Sequence, residues 1–308
     1  MEKTSPLWFL TLLLISGLVG GCGREPETRL IDLAIVGTHD AAAYNVSPRL
    51  RCQDLTLEEQ LEVGVRAFDL RLVDRYDGSG RMDLYHGEES LGLEFTEDVL
   101  PLFTQFLTAH PDEFVILSLR KEDDEHHSQE EMEAYSLSLR RVLERPEVAR
   151  LLYRGELTPA TKVSEVRGKL LILLRTRIGD DVCMPYFDGF QDDSAFTARL
   201  VNPCGGNLDL IVEDKYMVYD TIGMRDKKSA LSEVLDLAET MPDHWMIAYL
   251  SGTGDLTPEA VAEEINPFAY RLLRERTSLP GGIYFMDFAG MPEARAIITL
   301  CKKQNSKI

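Results

Sequence analysis

The sequence predicts an α/β protein, a single irregular (β/α)8 TIM barrel. Three observations carry this. Short β-rich runs recur eight times along the chain, as "LIDLAIVG", "GVRAFDLRLV", "RMDLYHG", "EFVILSLRKE", "GKLLILLRTR", "LDLIVEDKYMV", "HWMIAYLSG" and "GGIYFMDF". Helical patterns lie between most of them, with apolar residues at three- and four-residue steps, which argues for a parallel sheet. Eight strands in one compact length then close more readily as a barrel than as an open sheet. The third observation supplies the irregularity: "FDLRLVDRYDGSGRMDLYHG" has no room for a crossover helix, and its "DGSG" is a hairpin signal.

The elements follow in chain order. "MEKTSPLWFLTLLLISGLVGGCG" carries one lysine, an apolar run and small residues before Cys22. It reads as a signal peptide over residues 1–21, too short and wrongly flanked for a stable span. "LVGGC" resembles a bacterial lipobox, which makes Cys22 the lipidated first residue of the mature chain and residues 22–28 its tether. The catalytic domain is expected over 29–303. After strand one, Thr56 followed by Glu59 fits a capping box for "TLEEQLEVG". Further helices are expected in "FTEDVLPLFTQFLTAHPD", "SQEEMEAYSLSLRRVLERPEVARLL", "DKKSALSEVLDLAETMP", "PEAVAEEINPFAYRLLRER", where Pro258 suits the first helical position, and "MPEARAIITLCKK". There are no internal repeats.

Composition bounds the partners. Of 308 residues, 44% are hydrophobic and 28% charged, with a net charge of -19. An acidic chain does not wrap nucleic acid, which demands a lysine and arginine excess. Anionic membranes repel it as a whole, so a lipid substrate must be reached by another means, such as the anchor at Cys22. The expectation is an exported, envelope-anchored or secreted monomer. Cys52, Cys183, Cys204 and Cys301 remain in the mature chain. Export permits disulfides, and Cys183 with Cys204, flanking one Gly/Pro-containing loop, is the first candidate pair. No pair has zinc-ligand spacing, so neither a structural metal nor a cofactor is expected.

In such a barrel the chemistry gathers at the strand C-terminal ends. Strand one ends in His39 and Asp40. Strand two carries Asp69 and Arg71, two apart and so on one face. A hairpin centred between Gly78 and Ser79 brings His86 opposite Arg71. Strand four ends in Arg120, Lys121 and Glu122, strand five in Arg175 and Arg177. Strand six carries Asp214 and Tyr216, and strand eight ends with Asp287. Two histidines permit a paired general base and general acid. A carboxylate behind a histidine fixes its tautomer, and arginine donates to phosphate oxygens. No serine or cysteine sits in a nucleophile elbow. The set suits phosphodiester cleavage by an activated hydroxyl. His110, His126, His127 and His244 read as solvated surface.

"IVGTHD", "FDLR", "LYHG", "SLRKE", "VEDKYMV" and "YFMDF" resemble, in order and spacing, the bacterial phosphatidylinositol-specific phospholipases C, from about residue 30 to 300. The resemblance implies a distorted TIM barrel and a ribonuclease-like mechanism. It makes His39 the general base toward the inositol 2-hydroxyl, oriented by Asp287. It makes His86 the general acid for the diacylglycerol oxygen, with Asp40 as its partner. Arg71 would stabilise the phosphorane, with Asp69 beside it, and Arg120, Arg175, Asp214 and Tyr216 would receive the inositol. Related calcium-dependent enzymes use a metal where this group has the arginine, so metal independence is implied.

Two positions depart from the family. Lysine is usual where Arg120 stands, and a planar fork does not replace a point charge freely. Exposed tryptophans are common in the family, whereas the mature chain keeps only Trp245, in a predicted strand. Two rival readings stand beside the lyase: a phosphodiesterase for another phospholipid or a glycerophosphodiester, and an envelope lipoprotein that binds inositol lipids with little catalysis.

Overall fold

The computed structural model describes residues 27–122, 128–179 and 182–307. The expected signal peptide, Cys22, most of the tether, His126 and His127 lie outside the described residues.

The strands in chain order are β1 (Ala34–Thr38), β2 (Ala67–Asp74), β3 (Met82–His86), β4 (Glu89–Glu94), β5 (Val115–Lys121), β6 (Leu170–Leu174), β7 (Tyr186–Asp188), β8 (Ala195–Val201), β9 (Asn207–Glu213), β10 (Met217–Val218), β11 (Trp245–Leu250), β12 (Thr253–Gly254) and β13 (Gly282–Met286). The helices are α1 (Leu57–Val63), α2 (Leu100–Ala109), α3 (Gln129–Leu143), α4 (Pro146–Ala149), α5 (Val163–Val166), α6 (Thr221–Thr240), α7 (Pro258–Arg274) and α8 (Pro292–Asn305). Thr56 caps α1 in the expected box with Glu59, and Pro258 opens α7.

Nine strands form a ring in the order β1-β13-β11-β9-β8-β7-β6-β5-β2, which β1 closes against β2 at Gly37↔Ala67 and Thr38↔Phe68. Eight run parallel and β8 runs antiparallel to both neighbours. The barrel is therefore α/β and irregular, as expected, but its membership differs in one place. "RMDLYHG" was counted among the eight; as β3 it leaves the ring in a hairpin with β4, and the parallel strand it stood for is β7. That strand has three residues and touches β6 only at Leu174↔Tyr186, so it carries no periodic signal. Its partner β8 alternates exposed and half-exposed residues, a pattern that hides a strand from a search for apolar runs.

The hairpin register also differs from the expectation. Leu72, Val73 and Asp74 pair with Leu84, Asp83 and Met82, which centres the turn on Gly78. The loop is longer than a tight turn: the N–H of Arg75 donates to the C=O of Arg81 at 3.2 Å. His86 thus lies beyond the paired residues rather than opposite Arg71. A register shift between β3 and β4 at Asp83/Tyr85 re-aims the end of the strand.

Side chains alternate across each strand, and the two faces form separate cores. The outer one packs Val36, Phe68, Leu117, Ala248 and Met286 beneath helix residues such as Phe103, Leu139, Leu231, Ile265 and Ile297. The inner one holds Ile35, Ala67, Ile116, Leu171, Leu173, Leu210, Val212, Ile247, Tyr249, Ile283 and Phe285. Continuing each inner row by two residues gives His39 from Ile35 and Gly37, Asp69 and Arg71 from Ala67, and Ser118 and Arg120 from Ile116. It also gives Arg175 from Leu173, Asp214 from Val212 and Asp287 from Phe285. The period of two that fills the barrel with apolar side chains delivers the polar ones to its mouth. Gly37 keeps that row open, since a Cβ there would fall 2.6 Å from the Phe285 ring.

Cys183 and Cys204 form the expected disulfide, with Cα atoms 5.1 Å apart. Cys52 and Cys301 are buried free thiols. Among the described residues, no helix is long and apolar enough to cross a membrane.

Candidate active site

A cleft of about 420 Å³ opens at the strand C-terminal ends, lined by His39, Asp40, Arg71, His86, Arg120, Arg175, Asp214 and Tyr216. Asp69 and Asp287 are fully buried beneath it. The ten residues expected at the site thus come to one place. Arg177 does not: its guanidinium lies over the Tyr186 ring, 4.8 Å from the centroid. His110 is exposed and His244 half-buried, and neither lines the cleft.

His39 stands at the end of β1 between two environments. Its Nδ1 lies 3.0 Å from Asp287 Oδ1, so the buried carboxylate fixes the ring. Its Nε2 lies 3.2 Å from Arg71 Nη2 and 3.3 Å from Asp40 Oδ2. A neutral imidazole protonated on Nδ1 accepts from Arg71 there, and an imidazolium donates to Asp40. One geometry serves both states, as a proton-transfer residue requires.

His86 is held from its other side. Its Nδ1 donates to the C=O of Leu50 at 2.8 Å, which leaves Nε2 facing Asp40 Oδ2 at 3.2 Å. Asp40 is thus shared by both histidines rather than belonging to His86 alone. Arg71 Nε pins its Oδ1 at 2.7 Å, so only Oδ2 is left for the two rings. Asp69 lies 4.0 Å from Arg71 Nη2, with both its carboxylate oxygens buried and without a hydrogen-bond partner.

A family model for the phosphatidylinositol-specific phospholipase C X domain matches residues 35–176. Just under half of the chain thus resembles this X domain. Over 108 residues it is 34% identical to the 1-phosphatidylinositol phosphodiesterase of Listeria monocytogenes, a match covering 33% of this chain and 32% of that protein. Over 78 residues it is 33% identical to the human PI-PLC X domain-containing protein 2, covering 24% of this chain and 25% of that one. The aligned part therefore spans a third or less of these relatives. The fold extends further. A phosphatidylinositol-specific phospholipase C of Staphylococcus aureus superposes with a TM-score of 0.74 at 22% identity, covering 89% of this chain and 93% of that one. The Listeria monocytogenes enzyme gives 0.68 at 23% identity, covering 90% and 96%.

Within the matched segment lie His39, Asp40, Asp69, Arg71, His86, Arg120 and Arg175; Asp214, Tyr216 and Asp287 come from strands beyond it. Electrostatics follow from burial and pairing. Desolvation works against the His39 imidazolium, but Asp40 and Asp287 outweigh it and push the group up to about 9. Burial would raise Asp40, yet Arg71, His86 and His39 hold it well below the usual carboxylate range. Burial pushes Asp287 and Asp214 upward, against the pull of His39 and Arg175 respectively.

Two residues of the barrel mouth escaped the sequence reading, and one that it named was given no role. Glu122 meets Arg71 Nη1 at 3.5 Å and accepts from the N–H of Gly87 at 2.5 Å, which ties the arginine to the turn after His86. Its place in "SLRKE" was the available signal. Phe190 stacks on the buried Arg175 guanidinium, 4.0 Å from its centroid, and Asp192 lies 3.8 Å from the same group. They sit in the β7–β8 loop, which no apolar run marked. Lys121 is buried and points away from the cleft, as its place next to Arg120 requires.

Proposed function

We propose that this chain is a phosphatidylinositol-specific phospholipase C of the lyase type, converting phosphatidylinositol to inositol 1,2-cyclic phosphate and diacylglycerol. The observation that carries the reading is the pair of histidines converging on one oxygen of Asp40, whose other oxygen Arg71 contacts. A pure binding site needs no such base and acid on opposite sides of an anion.

In this mechanism His39 Nε2 takes the proton of the inositol 2-hydroxyl while Asp287 steadies the imidazolium. The freed oxygen attacks phosphorus, and Arg71 donates to the oxygens on which charge builds. His86 gives its Nε2 proton to the glycerol oxygen as the phosphorus–oxygen bond breaks. One proton is taken and one given, so the step is balanced. Arg175 and Asp214 hold ring hydroxyls and Tyr216 offers a flat face. Arg120 contributes a fork where the family usually has lysine.

Arg71 stands where a cation would otherwise serve, in contact with Asp40 and Glu122, so turnover is expected to persist in excess chelator. Residues 1–21 and Cys22 complete the reading as an export signal and lipid anchor. Replacing Cys22 by alanine should move the protein from the membrane to the soluble fraction; an unchanged distribution refutes the anchor. For the activity itself, His39→Ala should abolish diacylglycerol release from phosphatidylinositol vesicles while the circular dichroism spectrum stays native. Undiminished release refutes the assignment of the base.

A further inference from the structure

The two candidate proton-transfer turns have a common support. His39 and Asp40 leave β1, and Asp287 leaves β13 beside it; the N–H of His39 still reaches the C=O of Met286 at 3.1 Å. Both turns then pass through left-handed backbone at a non-glycine residue, with φ of 39° at Asp40 and 51° at Phe288. Such conformations persist only where their surroundings enforce them.

Gln53 is fully buried between the two turns. Its Nε2 donates one proton to the C=O of His39 at 2.8 Å and the other to the C=O of Met286 at 2.9 Å. Its Oε1 accepts from the N–H of Ala289 at 3.3 Å. The backbone around it adds to the brace. The C=O of Cys52 accepts from the N–H of Phe288 at 2.8 Å, and the C=O of Ala43 accepts from Cys52 and Gln53 at 3.0 and 3.1 Å. Gln60 and Asn266 are also buried, but each side chain bonds to only one of the two turns: Gln60 to Thr38 and the C=O of Ala41, Asn266 to the C=O of Asp287.

We infer that Gln53 is a positioning residue, which holds the His39 turn and the Asp287 turn in mutual register so that the base and its carboxylate meet. It touches neither the cleft nor a reacting atom; it acts through the backbone of the residues that do. The catalytic half of this inference rests on the function proposed above, whereas the structural half does not.

The test is Gln53→Met, which keeps the length of the side chain and removes all three hydrogen bonds. The imidazole of His39 is followed by carbon-13 NMR as pH is varied. Asp40, Asp287, Arg71, Asp69, the Cys52 thiol and the Tyr249 ring all face it, and of these Asp287 leaves the second turn that Gln53 ties to that of His39. In the wild type the midpoint is expected at about 9. In the variant it should fall toward the ordinary 6.5, and kcat should drop by about 10²-fold with KM little changed. A folded variant with lower stability but the wild-type His39 midpoint would overturn the inference, because a space-filling glutamine predicts that result. Should the variant not fold, the wild type still decides. The side-chain amide protons of Gln53 must exchange slowly, and rapid exchange overturns the brace. A wild type that turns over no lipid refutes the proposed function and leaves the titration readout intact.

Discussion

In the proposed mechanism His39 must lose a proton before it can accept one from a hydroxyl, and in the unliganded site Asp40 and Asp287 oppose that loss. Against the desolvation that burial imposes, they hold the imidazolium up to about 9. The free enzyme's kcat/KM should therefore climb with pH through the neutral range until His39 titrates. Replacing Asp287 by asparagine removes one of those anions, so this acid limb should move to lower pH. The maximum should fall by about 10²–10⁴-fold, since the ring loses its orientation as well. A limb that stays in place would show that Asp287 does not govern His39. Arg71 supplies a second test. Its guanidinium contacts Asp40, Glu122 and His39 together, a fork that lysine cannot reproduce. Arg71→Lys is expected to lower kcat by about 10²–10³-fold, read at saturating phosphatidylinositol. These residues were legible because a strand's period of two carries an apolar row into a polar end. Glu122 was seen but not given a role, because what it joins, the turn at Gly87, comes from another part of the chain. Asp40 was assigned to one histidine, because sequence does not show that Arg71 occupies its other oxygen.

At the scale of elements, α6 is fastened to the sheet by a buried ion pair. Lys227 Nζ reaches both oxygens of Glu213 at 2.9 Å and the C=O of Tyr249 at 2.5 Å, with both charged side chains fully buried. Removing one partner leaves the other charge unpaired away from water. Lys227→Met should cost about 3–5 kcal/mol in urea unfolding, and adding Glu213→Gln should recover part of it; a cost under about 1 kcal/mol would mean that the pair behaves as a surface one. The Cys183–Cys204 bridge ties the segment before β7 to the β8–β9 turn. Its reduction should cost about 3 kcal/mol for a loop of this size. This is also the part of the barrel that sequence read least well. β7 is too short for a period and β8 is half exposed, so the ninth ring strand and the true eighth parallel one were both passed over. Helix starts were legible where a cap has a sequence signature: Thr56 accepts from the backbone N–H of Glu59 in the expected box, and Pro258 opens α7 after Thr257, whereas the matching box at Ser128 was not singled out.

The whole molecule carries a net charge of -19 and, in the proposed function, works on an anionic lipid surface. Long-range repulsion should slow its approach, and salt should relieve it, because the Debye length falls from about 30 Å at 0.01 M to about 8 Å at 0.15 M. Protein lacking the lipid anchor should therefore bind phosphatidylinositol vesicles better as sodium chloride rises over that range. Weaker binding with salt would point instead to a basic docking face. The central claim is the reaction, and its product tests it most directly. The purified protein would be mixed with phosphatidylinositol and, separately, with phosphatidylcholine in excess chelator, and the phosphorus NMR spectrum followed. The account predicts a cyclic phosphodiester from phosphatidylinositol alone. A linear phosphomonoester as the first product, turnover of phosphatidylcholine, or a reaction that stops in chelator would contradict it.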